Sequence, residues 1–466
     1  ESALFDGPKP AGRRRAVPPP VVVGTCSRVL YDAIAGVWAA LGFDDLSDAV
    51  FRDLVIVRVV EPASLSDAGR VLAELGRPEG SLPTRKRTLG RCSDGRYRDR
   101  LAGLCGQHAA VFGDLSLILY DVTTLRTTAA KEDGFRKVGY SKERSVDPQV
   151  TVGLLADRGG FPLEIGCFEG NKAEKHTIVP IVEQYAKRCG KQRLVVVADA
   201  GMLSADNLKA LDEAGYRFIV GSRMVKAPAD LASHFRWHGD AFEDGQIIDT
   251  LTPKTGASTE NDPHVKAEPA WDPDEHPGSW RAVWEFSAKR FARDNRTLTA
   301  QENRARAVIA GEKQARKPRF VKTSGDSLSL DLAGLARARR LAGLKGYATN
   351  IPAGGMPATE LIARYHDLWH IEESFRISKS DLAARPLFAR TRDAIETHLT
   401  IVFAALAVSR EIQNRTGWTI RRVVRAPRPL RSATIRANGV TTTIPPEISS
   451  DKQKLLDSIQ TQPPGH

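Results

Sequence analysis

Three carboxylates carry the most chemical promise in this sequence. Asp121 closes the apolar run Leu115–Tyr120, and Asp199 closes Leu194–Ala198. Both runs read as buried strands, and in an open α/β sheet functional groups gather at the carboxyl ends of strands. Two carboxylates brought together there repel unless a cation shares them, and an oxygen-only donor set suits Mg²⁺ or Mn²⁺. The plain alternative is that each aspartate caps the loop after its strand. The third acid, Glu372, lies on a predicted helix from Pro357 to about Lys379, with the proline in its first turn. Tyr365, Leu368, Glu372 and Lys379 follow one another at spacings of three, four and seven, with Trp369 and Arg376 within a turn of the same line. All six therefore share a face. A face built only for packing would exclude Glu, Arg and Lys; one built only for solvent would exclude Tyr, Leu and Trp. The plainer reading is a half-buried helix with Glu372 and Arg376 as an i,i+4 pair worth ~0.3 kcal/mol. Glu373 is the rival acid, but one residue step turns it ~100° off the Tyr365–Lys379 line.

The elements that must position these residues are legible in outline. After the strand ending at Asp121 come Gln149–Ala156 and Phe161–Phe168, joined through Asp157-Arg-Gly-Gly160, which predicts a β-hairpin. A helix is expected over Ile178–Arg188, with Thr177 as N-cap and Gly190 as its stop. The strand Leu194–Ala198 suits burial on both faces. A helix capped by Ser204 then runs to Gly215, and Arg217–Val220 is a further strand. This order implies a mixed α/β sheet. Around it the chain divides into a flexible basic arm (1–20), a helical N-terminal segment (21–110), a first part of the core (111–225), and an insertion (226–345). The insertion holds a strand at Trp280–Phe286 and a helix at Leu298–Val308. A second part of the core (346–416) carries an apolar helix over Ala394–Ile412, and a basic tail follows (417–466).

The 466 residues suggest roughly three domains. A hydrophobic fraction of 41% marks an ordinary globular chain, not a disordered one. The net charge of +12 favours a polyanionic partner, either nucleic acid or an anionic membrane face. No run of ~18 apolar residues predicts a membrane span, and no secretory signal is visible. The chain begins at Glu1 without Met and reads as a fragment. Five cysteines without a Cys-x-x-Cys pair argue against disulfides and structural zinc, and for a reducing cytoplasm. Basic clusters at Arg13–Arg15 and Arg85–Arg87, and Arg421, Arg422, Arg425, Arg428, Arg431 and Arg436 in the tail, could neutralise phosphates. His366 and His370 have an i,i+4 metal-ligand spacing, but no third His or Cys lies near them in sequence. His234 and His238 share that spacing and carry still less weight. Trp271, Trp280 and Trp284 could stack on a flipped base, but ordinary packing of the insertion is the favoured reading.

Taken together, the segment Tyr365-His-Asp-Leu-Trp369-His-Ile-Glu372-Glu-Ser-Phe-Arg-Ile-Ser-Lys379 resembles the Tyr-x2-Arg-x3-Glu-x6-Lys signature of bacterial insertion-sequence DDE transposases. Tyr120-Asp121-Val-Thr-Thr124 and Ala198-Asp199-Ala-Gly-Met202 look like the segments that hold that family's two catalytic aspartates. Gly139-Tyr-Ser-Lys142, Gly153-Leu-Leu155, Gly170-Asn171 and Arg385-Pro386 match its habits. The resemblance covers about 115–435. It implies a ribonuclease-H-like mixed-sheet core with a β-rich insertion, preceded by a helical, DNA-binding N-terminal domain. In that core Asp121, Asp199 and Glu372 would bind two Mg²⁺ or Mn²⁺ ions. It also implies water attack at the element end, strand transfer of the freed 3′-hydroxyl to target DNA, and DNA contacts by Tyr365 and Lys379. A homodimer would pair the element ends in a bacterial, nucleoid-associated cytoplasmic setting, with no membrane partner. The chain departs from the signature at Leu368, where the family has Arg; Arg376 is the candidate replacement. Arg421, Arg422 and Arg425 are further candidate DNA contacts. Two other readings stay open: an inactive, domesticated or truncated transposase that only binds DNA, and a two-carboxylate sugar hydrolase, against which the +12 charge speaks.

Overall fold

The computed structural model describes residues 19–112, 115–128, 131–139, 147–172, 176–190, 194–202, 204–256, 260–314, 318–324 and 327–461. Arg13–Arg15 and Tyr140-Ser-Lys142 therefore lie outside the described residues. The chain divides into two compact units, one made of residues 1–91 with 411–463 and the other essentially of 92–410.

The first unit opens with strand β1 (Val21–Cys26), followed by helices α1 (Arg28–Ala40), α2 (Ala49–Val60), α3 (Ala68–Glu74) and α4 (Leu82–Asp94), the last running past the boundary at residue 91. Asp48 caps α2 by accepting from the Phe51 amide. Trp38 of α1 packs against Phe43 and Phe51 and anchors this core.

The second unit continues with α5 (Tyr97–Phe112), β2 (Leu117–Arg126), β3 (Gln149–Asp157), β4 (Pro162–Glu169), α6 (Ile178–Cys189), β5 (Val195–Ala198), α7 (Ala205–Glu213) and β6 (Arg217–Ser222). Next come α8 (Ala227–Asp230), α9 (Ala232–Trp237), β7 (Ile247–Pro253), β8 (Ser279–Phe286), α10 (Ala288–Ile309), β9 (Val321–Ser324), β10 (Ser327–Leu330), α11 (Leu332–Arg340) and β11 (Leu344–Thr349). Helices α12 (Ala358–His366), α13 (Leu368–Arg376) and α14 (Arg392–Thr416) follow, and the chain re-enters the first unit near the end of α14. That unit is completed by α15 (Ile420–Arg425), β12 (Ser432–Ala437), β13 (Val440–Ile444) and α16 (Ser450–Gln460).

An eight-stranded mixed sheet, ordered β4-β3-β2-β5-β6-β11-β8-β7, organises the second unit. β2, β5 and β6 run parallel, while β3 and β4 form the antiparallel hairpin at one side. This is the mixed α/β core that a ribonuclease-H-like reading requires. The hairpin turn is closed by Gly160, whose φ of +82° suits glycine. α6 packs on β3 and β4 on one face of the sheet, and α12 and α13 pack across β2, β3, β5 and β6 on the other.

The structure refines the expected elements. β2 does not stop at Asp121 but runs on to Arg126, because its outer half pairs with the long hairpin strand β3. The helix expected over 357–379 is broken at Asp367, which ends α12 and precedes α13, and it finishes in a π-turn over Ile377–Asp381. Within the insertion 226–345, β7 and β8 extend the central sheet through β11, and α10 is a 22-residue helix. The basic tail is folded. β12 pairs with β1, and Arg428 is clamped by Glu74 at 2.7 Å and by Glu61.

Candidate active site

Strand register places the first two acids. Tyr120 of β2 pairs with Ala198 of β5, Ala198 with Val220 of β6, and Val220 with Ala348 of β11. These four residues are buried on the face where the Tyr120 hydroxyl nears Gly153 and Ile181 of α6. Because side chains alternate along a strand, the next position along each strand lies on the opposite face, which α12 and α13 cover. That row reads Asp121, Asp199, Gly221 and Tyr347. Asp121 and Asp199 thus leave neighbouring parallel strands side by side. Each accepts a hydrogen bond from the backbone amide that follows it, Val122 and Ala200, at 2.7 Å.

The helices supply the rest. Tyr365 of α12 donates its hydroxyl proton to Asp199 Oδ1 at 3.0 Å. It reaches that far because Gly221 has no side chain: a Cβ there would lie 2.5 Å from the Tyr365 hydroxyl. Burial, and then the Asp199 charge, push the Tyr365 phenol above its ordinary range, with Glu372 adding to the effect. α13 packs on β2 and carries Glu372, which is exposed. Lys345 of β11 sits 4.4 Å above the Tyr365 ring and 5.4 Å above the Tyr347 ring. Burial and the nearby Arg290 lower the Lys345 ammonium, against the attraction of Asp199, Glu285 and Glu372. Asp199 and Glu372 therefore share two neighbours, Tyr365 and Lys345.

The three carboxylates are not drawn into one knot, for their oxygens do not all lie within 4.8 Å of one another. A two-ion site does not require that, because two ions ~3.5–4 Å apart would draw on carboxylates spread more widely than those of a single-ion site. The donor set is oxygen throughout, which is the chemistry hard divalent cations select.

The rival Glu373 faces elsewhere. It accepts from the buried Arg410 at 2.8 Å and from Arg376 at 3.3 Å. Burial opposes its ionisation, but the two guanidinium groups outweigh burial and hold the carboxyl below its usual range. Arg376, expected near the DNA, also lies 4.0 Å from Asp381. Leu368 is buried at 8% exposure, while Trp369 beside it is 55% exposed. Lys379 lies in the π-turn with its ammonium 5.8 Å from the Phe375 ring.

Other expectations sort plainly. Trp271, Trp280 and Trp284 are buried, and their indole N–H groups donate to Ser279, Asp212 and Asp230, so the packing reading holds and none offers a stacking face. Arg85 is buried and bonded to the Glu79 carbonyl, which removes it from any phosphate-binding surface. Arg421, Arg422 and Arg425 are exposed on α15, with Arg422 stacked 3.5 Å from the Trp418 ring. Sequence reasoning missed Lys345 and Gly221. The only signal was a lone cation in an otherwise buried strand, and a glycine beside a strand's apolar run.

With this geometry in view, the sequence matches the family model described as "Transposase DDE domain" over residues 113–408. The chain belongs to the DDE transposase family. The match spans the sheet strands β2 to β11 and the helices carrying Tyr365 and Glu372. Among curated proteins none matches. A solved piggyBac transposase, in a synaptic complex with hairpin DNA, is 10% identical to this transposase-family chain. It covers 86% of this chain and 78% of its own, with a TM-score of 0.41. Among the described residues of this family member, no helix is long and apolar enough to cross a membrane.

Proposed function

We propose that this DDE-family chain is a DNA transposase of the Tyr-Arg-Glu-Lys group. It would cleave the ends of an insertion sequence and join the freed 3′-hydroxyl to target DNA, with Asp121, Asp199 and Glu372 as its catalytic carboxylates. The observation that carries this reading is the register Tyr120–Ala198, which sets Asp121 and Asp199 on adjacent parallel strands beneath the helix bearing Glu372. Asp121, Asp199 and Glu372 are the residues that would hold two Mg²⁺ or Mn²⁺ ions. When bound, such ions activate the attacking oxygen and stabilise the leaving one in phosphoryl transfer.

The remaining roles belong to the chain itself. Tyr365 fixes the rotamer of Asp199 through its hydroxyl and is a candidate DNA contact. Lys345 offers an ammonium group to the scissile phosphate and supplies the cation that Leu368 does not. Lys379 and Arg376 would contact the DNA backbone beyond the cut, and Arg421, Arg422 and Arg425 would add phosphate contacts. A homodimer would pair two element ends in the bacterial cytoplasm, on the nucleoid.

The test is cleavage of labelled DNA carrying the parent element's end, with Mg²⁺, Mn²⁺, Ca²⁺ or EDTA. Asp121→Asn, Asp199→Asn and Glu372→Gln run beside the wild type, with Glu373→Gln as control. Metal-dependent nicking lost in the first three and kept in the control is the expected result. Nicking that survives Glu372→Gln overturns the choice of acid. Leu368 favours a second reading, a remnant that binds DNA without cutting it. Salt-sensitive binding with no cleavage in any metal would select that reading.

A further inference from the structure

His234 and His238 lie one turn apart at the C-terminal side of α9, and the structure brings Glu268 to them from the loop between β7 and β8. The Nδ1 of His234 and Oε1 of Glu268 are 2.8 Å apart, and one donor atom from each of the three residues lies within 4.8 Å of the other two. Among the described residues this is the one His/Cys/Asp/Glu group gathered so closely. The loop is built to deliver the carboxylate. Ser233 donates to the carbonyls of Val265 at 2.6 Å and Ala267 at 3.2 Å, and the Trp237 indole donates to the Pro263 carbonyl at 3.2 Å. Glu268 follows the last of the Ser233 contacts directly, so its approach is fixed by backbone and not by the carboxylate alone.

His234 is only 3% exposed, and its Nε2 has no hydrogen-bond partner among the described residues. The nitrogen turned to Glu268 is Nδ1, and in the neutral tautomer protonated at Nε2 the Nδ1 lone pair serves a Lewis acid shared with that carboxylate. His238 is exposed and Glu268 half-buried, so the group opens to solvent on one side. Its rings are ordered: His234 stacks on His238 and on Phe242, each at 5.0 Å between centroids.

We propose that His234, His238 and Glu268 form a zinc site that pins the loop between β7 and β8 to α9, separate from the three acids described above. Two imidazole nitrogens and one carboxylate oxygen are the mixed donor set of zinc, not of magnesium or calcium, which prefer oxygen alone. The two histidines at i,i+4 share a face of one turn, the spacing with which helices bind that ion. With three protein ligands and an open side, solvent completes the coordination. The consequence is conformational: the ion ties residue 268 to residue 238 across the long loop.

The experiment uses the full chain without a histidine tag, stripped with EDTA and desalted, then titrated with ZnCl₂ against a chromophoric chelator. The parent for the comparison carries Asp121→Asn and Glu372→Gln, so that zinc at those acids cannot be counted. One equivalent bound tightly by this parent is expected, with affinity reduced on the order of 100-fold in His238→Ala and in Glu268→Gln. Because His238 is exposed, its loss leaves the far-ultraviolet dichroism unchanged. A second reading comes from limited trypsin digestion: zinc slows cleavage after the exposed Lys266 in the parent but not in His238→Ala. The proposal is overturned if the parent binds no zinc, or if both single variants bind it as tightly as the parent. The contact at 2.8 Å is then a hydrogen bond and nothing more.

Discussion

Adjacent glutamates on α13 have different surroundings: Glu372 is exposed, whereas Glu373 is bonded to two arginines. Glu373 neutralises Arg410, whose side chain is 5% exposed and also donates to the Gly159 carbonyl at the hairpin turn. Removing that carboxylate strands a buried cation, whereas an amide keeps an acceptor in place. Glu373→Ala is therefore expected to lose about 1–3 kcal/mol of stability, read as a lowered urea midpoint, and Glu373→Gln distinctly less. Equal losses in the two variants would show that Arg410 does not depend on this acceptor. Asp230 gives a residue-level prediction with a pH axis. Burial raises its carboxyl from 3.8 to about 7, against the hydrogen bond from the Trp284 indole. A folded-state value above the unfolded one means that stability present below about pH 4 is lost as pH rises through about 7. Asp230→Asn keeps an acceptor for Trp284 and does not titrate. Its unfolding free energy from urea melts should match the wild type near pH 4 and exceed it at pH 8, by roughly 2–4 kcal/mol. A difference independent of pH would sink this account.

At the scale of elements, the site exists because a helix can approach a sheet closely at one spot. Tyr365 reaches Asp199 over Gly221, and any Cβ at 221 meets the hydroxyl oxygen at 2.5 Å. Gly221→Ala should leave the sheet intact, since β6 pairs on both sides through backbone bonds. It should also move the hydroxyl away from the carboxylate. We expect cleavage to fall roughly 10–100-fold with little change in melting temperature, because misplacement of a supporting group by about 1 Å has that cost. Tyr365→Phe should match it, and the double variant should add nothing; additive losses would show that the two residues act separately. This arrangement also explains what could be read from the sequence. The inner half of β2 and strand β5 announce themselves by apolar runs, and the helix by its periodicity, because local pattern fixes them, whereas the extension of β2 past Asp121 comes from its pairing with β3. The break at Asp367 and the π-turn after Arg376 follow from packing of α12 and α13 on different strands, which periodicity does not contain. Lys345 and Gly221 are invisible for the same reason: their meaning comes from Tyr365, far away in sequence. Glu268 was missed beside the His234 pair because a loop, not a repeat, delivers it.

Over the whole molecule the surplus of 12 positive charges is the property that matters, and part of it is engaged within the fold. Arg428 is held by Glu61 and Glu74, Arg85 is sunk among backbone carbonyls, and Arg431 bonds to Thr25. Arg421, Arg422 and Arg425 are exposed on one short helix of the first unit. If they touch DNA phosphates, each releases a condensed counterion on binding, and the logarithm of affinity falls with the logarithm of salt by about 0.9 per contact. Replacing all three by alanine should then flatten that slope by up to about 2.7 for duplex DNA. The effect should be the same for specific and unrelated sequences, because phosphate contacts position a protein without reading bases. Arg428→Ala is the opposite case: it should cost stability by freeing two acids, while leaving the salt slope of the surviving folded protein unchanged. A slope unaltered by the triple replacement would make α15 an ordinary solvated face, and the positive charge that meets DNA would have to come from elsewhere, with Lys345, close enough to Asp199 and Glu372 to feel both charges, the first candidate in the second unit.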